Sequence, residues 1–573
     1  MDLLSRSLIT RLKLVVIALC ILLLGMIAHL FNLQIRLTTN FFQLGQKNFV
    51  RYEKVSSPRG NIVDIHGKLL ATNRPITRIY WQGTGKKSLT SEQLHALAQL
   101  GNNLPISSEI IAKITTAEKQ GQRLLIAQDI NFELLSKIIE QFPEHANILV
   151  KRHFKRYYPQ NTVASHVVGY LGFIDMEPKG RMGLEQLFED TLKGDPGQIV
   201  KTINSVGRHL AEEEVKQALS GSTVYTTLNL DLQLIAEEVF PKHESGALIV
   251  MDPKVGNIEV LLSRPSFDPN IFLSSLASQT WHDLQEKKCF INRALNACYP
   301  PASLFKLVTI SAALENHLIS ADTTWHCNGS IQFADRTIYC HKRVGHGQMN
   351  TEQALAHSCN IPFYDIGKKM KIDSLADYAM RLGLGVKTNI LLPEKAGLVP
   401  TSSWKRQIKG EPWWPGETLS AAIGQSYLLV TPMQIACMIS ALCQGYLVQP
   451  RMLTAEQIVK KPLEISKDTL QFLKKSMKRV IDGGSGKSLN TLADIEIFAK
   501  TGTAQTSNLS KREMGKKFIE HGWFVAHFRY KNNDPLTLVI LIENVGSSRF
   551  ATQVALDFLK SYIELVRPDT KVI

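Results

Sequence analysis

A long apolar segment begins with Tyr299-Pro300-Pro301-Ala302-Ser303-Leu304-Phe305-Lys306 and continues through Leu314. Two prolines end an extended segment and the apolar pattern behind them is typical of a buried helix, so Ser303 is predicted at or near a helix N-terminus. The free N–H groups and the helix dipole there favour developing negative charge. Lys306 follows on the same helix face, and apolar surroundings would lower its pKa toward the neutral, proton-accepting form. The stretch therefore predicts a nucleophilic serine with its own base.

A Ser-x-x-Lys pair is weak evidence alone, because roughly two should occur by chance in a chain of this length. A second copy, Ser402-Ser403-Trp404-Lys405, follows Pro400-Thr401 but has no apolar helix pattern behind it. We interpret that copy as a coincidence in a loop. The apolar helix pattern behind Ser303 therefore favours this serine as the nucleophile.

The length of 573 residues, with 44% hydrophobic and 20% charged residues, is typical of a globular protein of several domains. The net charge of +15 comes from scattered lysines and arginines without a basic arm, so nucleic acid is not an expected partner. A basic protein held near a membrane would favour anionic head groups or lipid-linked phosphates.

The chain is predicted to begin with a cytoplasmic tail, residues 1–13, and a transmembrane anchor, residues 14–33. Only Gly25 and His29 interrupt an apolar run of about 18 residues, which is long enough for one span. No convincing small-x-small cleavage site follows, although a cleaved signal peptide is the alternative. The positive residues before the run place that end in the cytoplasm and everything after Asn32 outside.

Residues 34–245 are predicted to form a mixed α+β pedestal domain without a catalytic constellation. It contains a strand-turn-strand element at 57–71, helical patterns at 91–100 and 131–142, and short strands and turns around 153–197.

Residues 246–573 are predicted to form the second domain. It opens with a hairpin signal at 246–262 and ends with β-rich segments and a helix at 551–566. A sheet with helices on both faces and strands from both chain ends is the simplest architecture.

Two further short motifs follow Ser303 in order. Ser358-Cys359-Asn360 offers a hydroxyl and an amide that can contact a lysine and a substrate carbonyl, but Ser488-Leu489-Asn490 matches this pattern too. Lys500-Thr501-Gly502-Thr503 occurs once and follows an apolar strand pattern. It would present a cation, two hydroxyls and an approachable backbone at Gly502 along a sheet edge.

This ordered set of three motifs resembles the signature of penicillin-binding proteins and serine β-lactamases. The chain is most similar to the class B penicillin-binding proteins, and within them to the elongation-specific D,D-transpeptidases of the penicillin-binding protein 2 branch. The segments that carry the resemblance, besides the anchor, are Pro58–Asp64, Tyr299–Pro301, Gly345–Gly347, Ile423–Pro432 and Lys500–Gln505. Two positions depart from the family, because Ala302 and Ser426 stand where glycine is usual or common.

The resemblance implies an α/β (α+β) β-lactamase-like transpeptidase domain, with one transmembrane helix and a pedestal that serves as a dimerisation domain. It implies that Ser303 attacks the penultimate D-Ala carbonyl of a peptidoglycan stem peptide, releases D-Ala and passes the acyl group to a neighbouring stem peptide. Lys306 would take the serine proton, although the identity of the acylation base is disputed in known relatives.

The resemblance assigns further roles within the motifs. Ser358 and Asn360 would move a proton and hold the acyl-amide. Lys500, Thr501 and Thr503 would bind the terminal carboxylate. The backbone N–H groups of Ser303 and Thr503 would form the oxyanion hole, each worth about 3 kcal/mol. This chemistry requires no cofactor.

The expected partners are peptidoglycan stem peptides ending in D-Ala-D-Ala, β-lactams, a SEDS-family glycan polymerase of the RodA type and other elongation-complex proteins. The expected location is the inner membrane, with the catalytic domain in the periplasm. A division-specific transpeptidase, a β-lactamase and a non-catalytic penicillin-binding scaffold are the competing interpretations. A pedestal and a retained anchor argue against a β-lactamase, and intact motifs argue against a scaffold.

Four residues between the first and second motifs, Cys327, Cys340, His346 and Cys359, are separated by 12, 5 and 12 residues. Three thiols and one imidazole match a closed tetrahedral zinc site, and some relatives resemble this with carboxylates at two of the positions. A disulfide between Cys327 and Cys340, or unrelated buried thiols, are the alternatives. The sequence therefore predicts a structural zinc that stabilises the second motif without joining the reaction.

Overall fold

The structure is a computed structural model and describes residues 2–101, 104, 106–142, 147–174, 177–203, 209–274, 276–506 and 509–567. The helices are α1 (Asp2–Phe31), α2 (Thr38–Phe49), α3 (Ser91–Gly101), α4 (Ser108–Gln120), α5 (Phe132–Gln141), α6 (Ser165–Val168), α7 (Gly183–Leu187), α8 (Glu189–Lys193), α9 (Leu230–Val239), α10 (Ser278–Glu286), α11 (Lys306–Glu315), α12 (Thr351–Ala356), α13 (Ile361–Lys369), α14 (Ile372–Arg381), α15 (Ser402–Lys409), α16 (Pro415–Ala422), α17 (Pro432–Gln444), α18 (Lys467–Asp482) and α19 (Ser548–Val566).

The strands are β1 (Val50–Val55), β2 (Ile62–Val63), β3 (Leu69–Gln82), β4 (Arg123–Gln128), β5 (Ile148–Tyr157), β6 (Leu171–Ile174), β7 (Glu177–Gly180), β8 (Gly197–Ile203), β9 (His209–Lys216), β10 (Val224–Tyr225), β11 (Gly246–Met251), β12 (Ile258–Arg264), β13 (Thr324–Cys327), β14 (Ser330–Phe333), β15 (Arg336–Tyr339), β16 (Gly347–Asn350), β17 (Tyr446–Val448), β18 (Lys460–Pro462), β19 (Ile495–Ala504), β20 (His521–Tyr530) and β21 (Leu536–Ile542).

From Leu8 onward, the side chains of the N-terminal helix are mostly apolar and exposed. With the turn that follows it, the stretch Leu8–Arg36 is long and apolar enough to cross a membrane. No other helix among the described residues has that length and composition. The stretch Leu8–Arg36 starts before residue 14 and ends after residue 33, so the apolar element is longer than the predicted anchor.

The chain folds into two compact units that alternate along the sequence. The first contains Met1–Arg59, Asn73–Lys155 and Lys193–Gly221, and the second contains Gly60–Thr72, Arg156–Leu192 and Ser222–Ile573. The expected boundary at residue 245 stays a prediction, and residues 568–573 of the expected second domain lie outside the described residues.

In the first unit, β1, β8 and β9 form a three-stranded antiparallel sheet. A separate core forms where α3, α4 and α5 bury apolar side chains with Ile79 and Trp81 of β3. A buried carboxylate organises this core, because Glu118 accepts hydrogen bonds from the Trp81 indole at 3.0 Å and the Gln93 amide at 3.0 Å. Such a group is stable only when its acceptor sites are filled.

In the second unit, the segment after Arg59 is fixed by buried polar groups. The Arg156 guanidinium donates to Gly60 O at 2.6 Å and to Glu185 Oε1 at 2.7 Å. The Asp64 carboxylate accepts from the backbone N–H of Lys68 at 2.7 Å and of Leu230 at 3.0 Å. These hydrogen bonds explain why Asp64, Arg156 and Glu185 can be buried although their side chains are charged.

The central sheet of the second unit is antiparallel, in the order β12-β11-β21-β20-β19. Its middle strands are continuous apolar runs because both faces are covered. On one face α9 and α19 complete one core, and on the other α17 packs against β11, β20 and β21. The strands come from both ends of the domain, as predicted, and β19 is left at an edge.

Most predicted elements are confirmed, including the hairpin of β11 and β12, the helix α3 and the C-terminal helix α19. Two expectations for the pedestal region were wrong, because 165–168 and 183–187 are short buried helices where strands and turns were expected. A single helical turn contains too few residues to show a 3.6-residue apolar period.

The loop predicted around Ser402 was also wrong, because this serine is the first residue of α15. The Thr401 hydroxyl caps the helix by accepting from the backbone N–H of Trp404 at 3.0 Å, and Gly410 ends it with φ +70°. Local capping residues start and stop this helix without a long apolar stripe. The Ser402 hydroxyl donates to Asp373 at 2.6 Å and the Lys405 ammonium to Glu417 at 2.6 Å, so both side chains are engaged elsewhere.

Candidate active site

Ser303 lies in a single 3₁₀ turn, Ala302–Leu304, directly before α11. The approach to this turn is held from three directions. Tyr299 exchanges backbone hydrogen bonds with Val430 at 2.9 Å, the N–H of Ala302 donates to Gly424 O at 2.9 Å, and the Trp523 indole donates to Pro300 O at 3.1 Å. The half-buried serine is therefore presented by a rigid segment at the start of a helix, as predicted.

The residue before the serine is in an unusual conformation. Ala302 has φ +49°, in the left-handed region that glycine adopts most readily. Its backbone is also crowded, because a Cβ built on Gly424 would lie 2.0 Å from Ala302 O. The departure from glycine at residue 302 thus adds strain directly beside Ser303.

Lys306 is completely buried and points at the second motif. Its Nζ donates to Ser358 O at 2.7 Å, to Asn360 Oδ1 at 2.8 Å and to Ser358 Oγ at 3.2 Å. Burial lowers the pKa of Lys306 to about 7, and negative charge on the nearby sulfurs of Cys359 and Cys340 opposes this in part. At neutral pH a substantial share of this amine can therefore accept a proton.

The second motif lies in the loop between α12 and α13, where Ser358 has φ +55°. Its hydroxyl oxygen is shared by two lysines, because the Nζ of Lys500 approaches it at 3.1 Å and that of Lys306 at 3.2 Å. Lys500 is also completely buried, and burial together with the charge of Lys306 lowers its pKa. One hydroxyl therefore connects the first and third motifs.

The third motif is part of the edge strand β19, which pairs with β20 on one side only. A Cβ on Gly502 would lie 3.4 Å from the Leu304 side chain, so the strand runs close to the serine turn. Thr503 is exposed, and its Oγ1 accepts a hydrogen bond from the first N–H of α19, that of Ser548, at 3.3 Å. The open edge leaves backbone groups free to pair with an extended ligand.

Thr501 is almost fully buried, with 4% of its surface exposed, and its hydroxyl lies 2.5 Å from the hydroxyl of Ser485. Sequence reasoning missed Ser485 because it lies in a glycine-rich turn without a motif. Its spacing of 16 residues from Thr501 carries no local signal.

The four predicted metal-ligating residues converge on one point, with their ligand atoms all within 4.8 Å of one another. The Cys327 and Cys340 sulfurs each lie 3.6 Å from His346 Nδ1, and the Cys340 and Cys359 sulfurs are 3.8 Å apart. All of the described cysteines are unpaired thiols. The cluster adjoins the second motif, because the N–H of Asn360 donates to the Cys340 sulfur at 3.4 Å.

A serine at the start of a buried helix, a lysine one turn on, and a Lys-Thr-Gly edge strand define the class of penicillin-recognising serine acyl-transfer domains. The family profile described as the penicillin binding protein transpeptidase domain matches residues 246–560. A second profile, the penicillin-binding protein dimerisation domain, matches residues 54–226. Because the first match covers more than half of the chain, the chain belongs to the penicillin-binding protein transpeptidase family.

Similar proteins support this placement. The chain is 28% identical to peptidoglycan D,D-transpeptidase MrdA of Haemophilus influenzae, over 89% of this chain and 86% of that protein. It is similar to a penicillin-binding protein (PBP2) from Helicobacter pylori solved in complex with MreC, with a TM-score of 0.78, 26% identity, and coverage of 91% and 99%. A structure described as a peptidoglycan synthase complex that coordinates polymerization and crosslinking gives a TM-score of 0.75, 27% identity, and coverage of 98% and 99%. The predicted family and fold class are confirmed.

Proposed function

We propose that this chain is a peptidoglycan D,D-transpeptidase that cross-links stem peptides during wall elongation. The observation that carries the proposal is the hydroxyl of Ser358, which contacts the amines of both Lys306 and Lys500 beside the helix-start serine. This arrangement places a base and a proton donor in one buried network, and Lys306 lies three residues after the nucleophile Ser303. The names of the relatives indicate the same activity.

In the acylation step, the Ser303 oxygen attacks the penultimate D-Ala carbonyl while the neutral amine of Lys306 takes its proton. The backbone N–H groups of Ser303 and Thr503 stabilise the oxyanion. When the C–N bond breaks, the leaving D-Ala amine takes the proton of the Ser358 hydroxyl, and the Lys306 ammonium returns one to Ser358. An acceptor amine from a second stem peptide then attacks the ester, and the same proton transfers run in reverse.

The terminal carboxylate of the donor peptide binds along β19. Lys500 and Thr503 contact it, and Thr501 contributes through its hydroxyl, while Gly502 permits close backbone approach. Binding of a carboxylate favours the charged form of the buried Lys500 amine and so raises its pKa. Asn360, held by Lys306 at 2.8 Å, is placed to bind the acyl-amide.

The apolar helix Leu8–Arg36 anchors the protein in the inner membrane, with the N-terminus in the cytoplasm and both compact units in the periplasm. The anchor and the pedestal contact a SEDS-family polymerase of the RodA type. The titles of two similar structures, which describe a complex with MreC and a synthase complex, support elongation-complex partners.

Cys327, Cys340, His346 and Cys359 hold a structural zinc ion. The fit rests on their separations, because a tetrahedral ion at about 2.3 Å from sulfur and about 2.0 Å from nitrogen requires about 3.8 Å between sulfurs and about 3.6 Å between sulfur and nitrogen. The Cys340 and Cys359 sulfurs are 3.8 Å apart, His346 Nδ1 lies 3.6 Å from both the Cys327 and the Cys340 sulfur, and all four ligand atoms lie within 4.8 Å of one another. A disulfide would instead bring two sulfurs to about 2 Å. The ion takes no part in the reaction and fixes the loop that carries Ser358.

Elemental analysis of protein purified without chelator tests the zinc site. We expect about one zinc per chain, lost together with several degrees of melting temperature in Cys327→Ser. Cys443→Ser, which removes a buried thiol outside the cluster, keeps the metal. Metal-free protein with a mass about two daltons below that of the reduced chain, located to a peptide that links Cys327 and Cys340, would show a disulfide instead of a zinc site.

The enzymatic proposal is tested with a synthetic stem pentapeptide and an amine acceptor. Purified full-length protein should release D-Ala and form the cross-linked product, and Ser303→Ala should abolish both. Release of D-Ala without product would indicate a carboxypeptidase. Binding of penicillin with neither product would favour the scaffold.

A further inference from the structure

The turn Gly483-Gly484-Ser485-Gly486, called here the glycine turn, follows the end of α18 and is wedged between the second and third motifs. The N–H of Gly486 donates to Val480 O at 3.0 Å, which closes the turn on its helix. A Cβ on Gly484 would lie 2.6 Å from Ala356 O, two residues before Ser358. Only glycine therefore lets this turn pack so tightly against the loop of the second motif.

The tight packing brings an exposed hydroxyl to a buried one. Ser485 is exposed to solvent, whereas Thr501 has 4% of its surface exposed, and their oxygens are 2.5 Å apart. A pair of hydroxyls has two protons, and one is used in the bond between them. The other proton is left for a ligand. Whichever oxygen presents it, Ser485 either touches the ligand or fixes the direction in which Thr501 donates.

We propose that Ser485 is a specificity-determining residue for the C-terminal carboxylate of the donor peptide and for the equivalent carboxylate of penicillins. The inference rests on the proposed function and deepens it. A carboxylate is the ligand that fits, because it accepts hydrogen bonds strongly, the Lys500 amine lies next to Thr501, and the open edge of β19 places an extended ligand there. The effect is on binding and not on the acyl-transfer step, because Ser485 contacts neither Ser303 nor Lys306.

The test measures acylation of the full-length protein by benzylpenicillin. Stopped-flow kinetics separate K, the dissociation constant of the non-covalent complex, from the acylation rate constant k2. Ser485→Ala should raise K about tenfold, the usual effect of losing one hydrogen bond to a charged group, and leave k2 within about twofold. Ser485→Thr, which keeps the hydroxyl, should restore K. The matched control is Ser488→Ala, which removes an exposed hydroxyl four residues after Gly484. This variant should bind and react like wild type.

An unchanged K in Ser485→Ala overturns the inference, as does an equal loss in Ser488→Ala. A fall in k2 and melting temperature with K unchanged also overturns it, because that result indicates a structural role. Wild-type protein that benzylpenicillin does not acylate at all would overturn the proposed function itself. Normal wild-type acylation with an unaffected Ser485→Ala variant would overturn this inference alone.

Discussion

The chemistry of this protein depends on the buried surroundings of one amine, that of Lys306. Lys306 has no exposed surface, and its Nζ is enclosed by oxygens of Ser358, Cys359 and Asn360 between 2.7 and 3.4 Å away. Burial disfavours the ammonium form, which lowers the pKa to about 7. An ordinary lysine would be almost fully protonated at neutral pH and could not act as a base.

The pH dependence of acylation follows from this pKa. Because the neutral form is the base, the acylation rate constant should rise about tenfold per pH unit below pH 7 and level off above it. Lys306→Arg, which cannot lose its proton, should lose acylation at every pH. Lys405→Arg, in the second Ser-x-x-Lys copy, should keep the wild-type profile. A flat wild-type profile between pH 5.5 and about 8.5 would contradict the role of Lys306 as base.

At the scale of elements, the second unit is fixed by a few buried polar contacts between segments far apart in sequence. Arg156 at the end of β5 pairs with Glu185 in α7, and the two side chains are 2% and 0% exposed. Removing one partner of such a pair leaves a buried, uncompensated charge.

Arg156→Met should therefore lower the free energy of unfolding by about 3–5 kcal/mol. The matched control is Lys113→Met, which breaks a highly exposed pair with Glu109 in α4 and should cost less than about 1 kcal/mol. Urea unfolding of the detergent-solubilised chain, followed by near-UV circular dichroism, measures both. Equal effects of the two changes would show that the buried pair does not hold the fold.

Elements marked by a long apolar pattern could be predicted from the sequence, whereas elements without such a pattern could not. The lysine spacing and the edge strand followed from apolar patterns around Ser303 and Lys500, so these elements could be predicted. The helix that begins at Ser402 was missed because its start depends on one capping hydroxyl. Ser485 was missed because its partner Thr501 is brought to it only by the packing of α18 on β19.

At the scale of the whole molecule, stability depends on histidines buried in the neutral form. His166 donates from Nε2 to Cys289 O at 2.7 Å, and His527 lies within β20 beside Thr537. Burial lowers the pKa of each to about 4, below the usual value of 6.5. As the pH falls, these two imidazoles therefore take up protons at a higher pH in the unfolded chain than in the folded chain.

The stability should be greatest above pH 6.5 and decrease as the pH falls toward 4, by up to about 3 kcal/mol for each histidine. His527→Gln should make the decrease shallower, whereas His243→Gln, at an exposed position, should leave it unchanged. Melting temperatures at half-unit pH intervals measure the slope. A slope that is the same in wild type and His527→Gln would exclude the buried imidazole as its source.

The assignment of Ser303 as the nucleophile is tested most directly by the residue to which penicillin attaches. Full-length protein treated with benzylpenicillin should gain the mass of one penicillin, and peptide mapping should place the adduct on Ser303 alone. Ser303→Ala should gain no mass, while Ser402→Ala should be labelled like wild type. An adduct on Ser402, or no adduct on a folded wild-type chain, would contradict the assignment of Ser303 as the nucleophile.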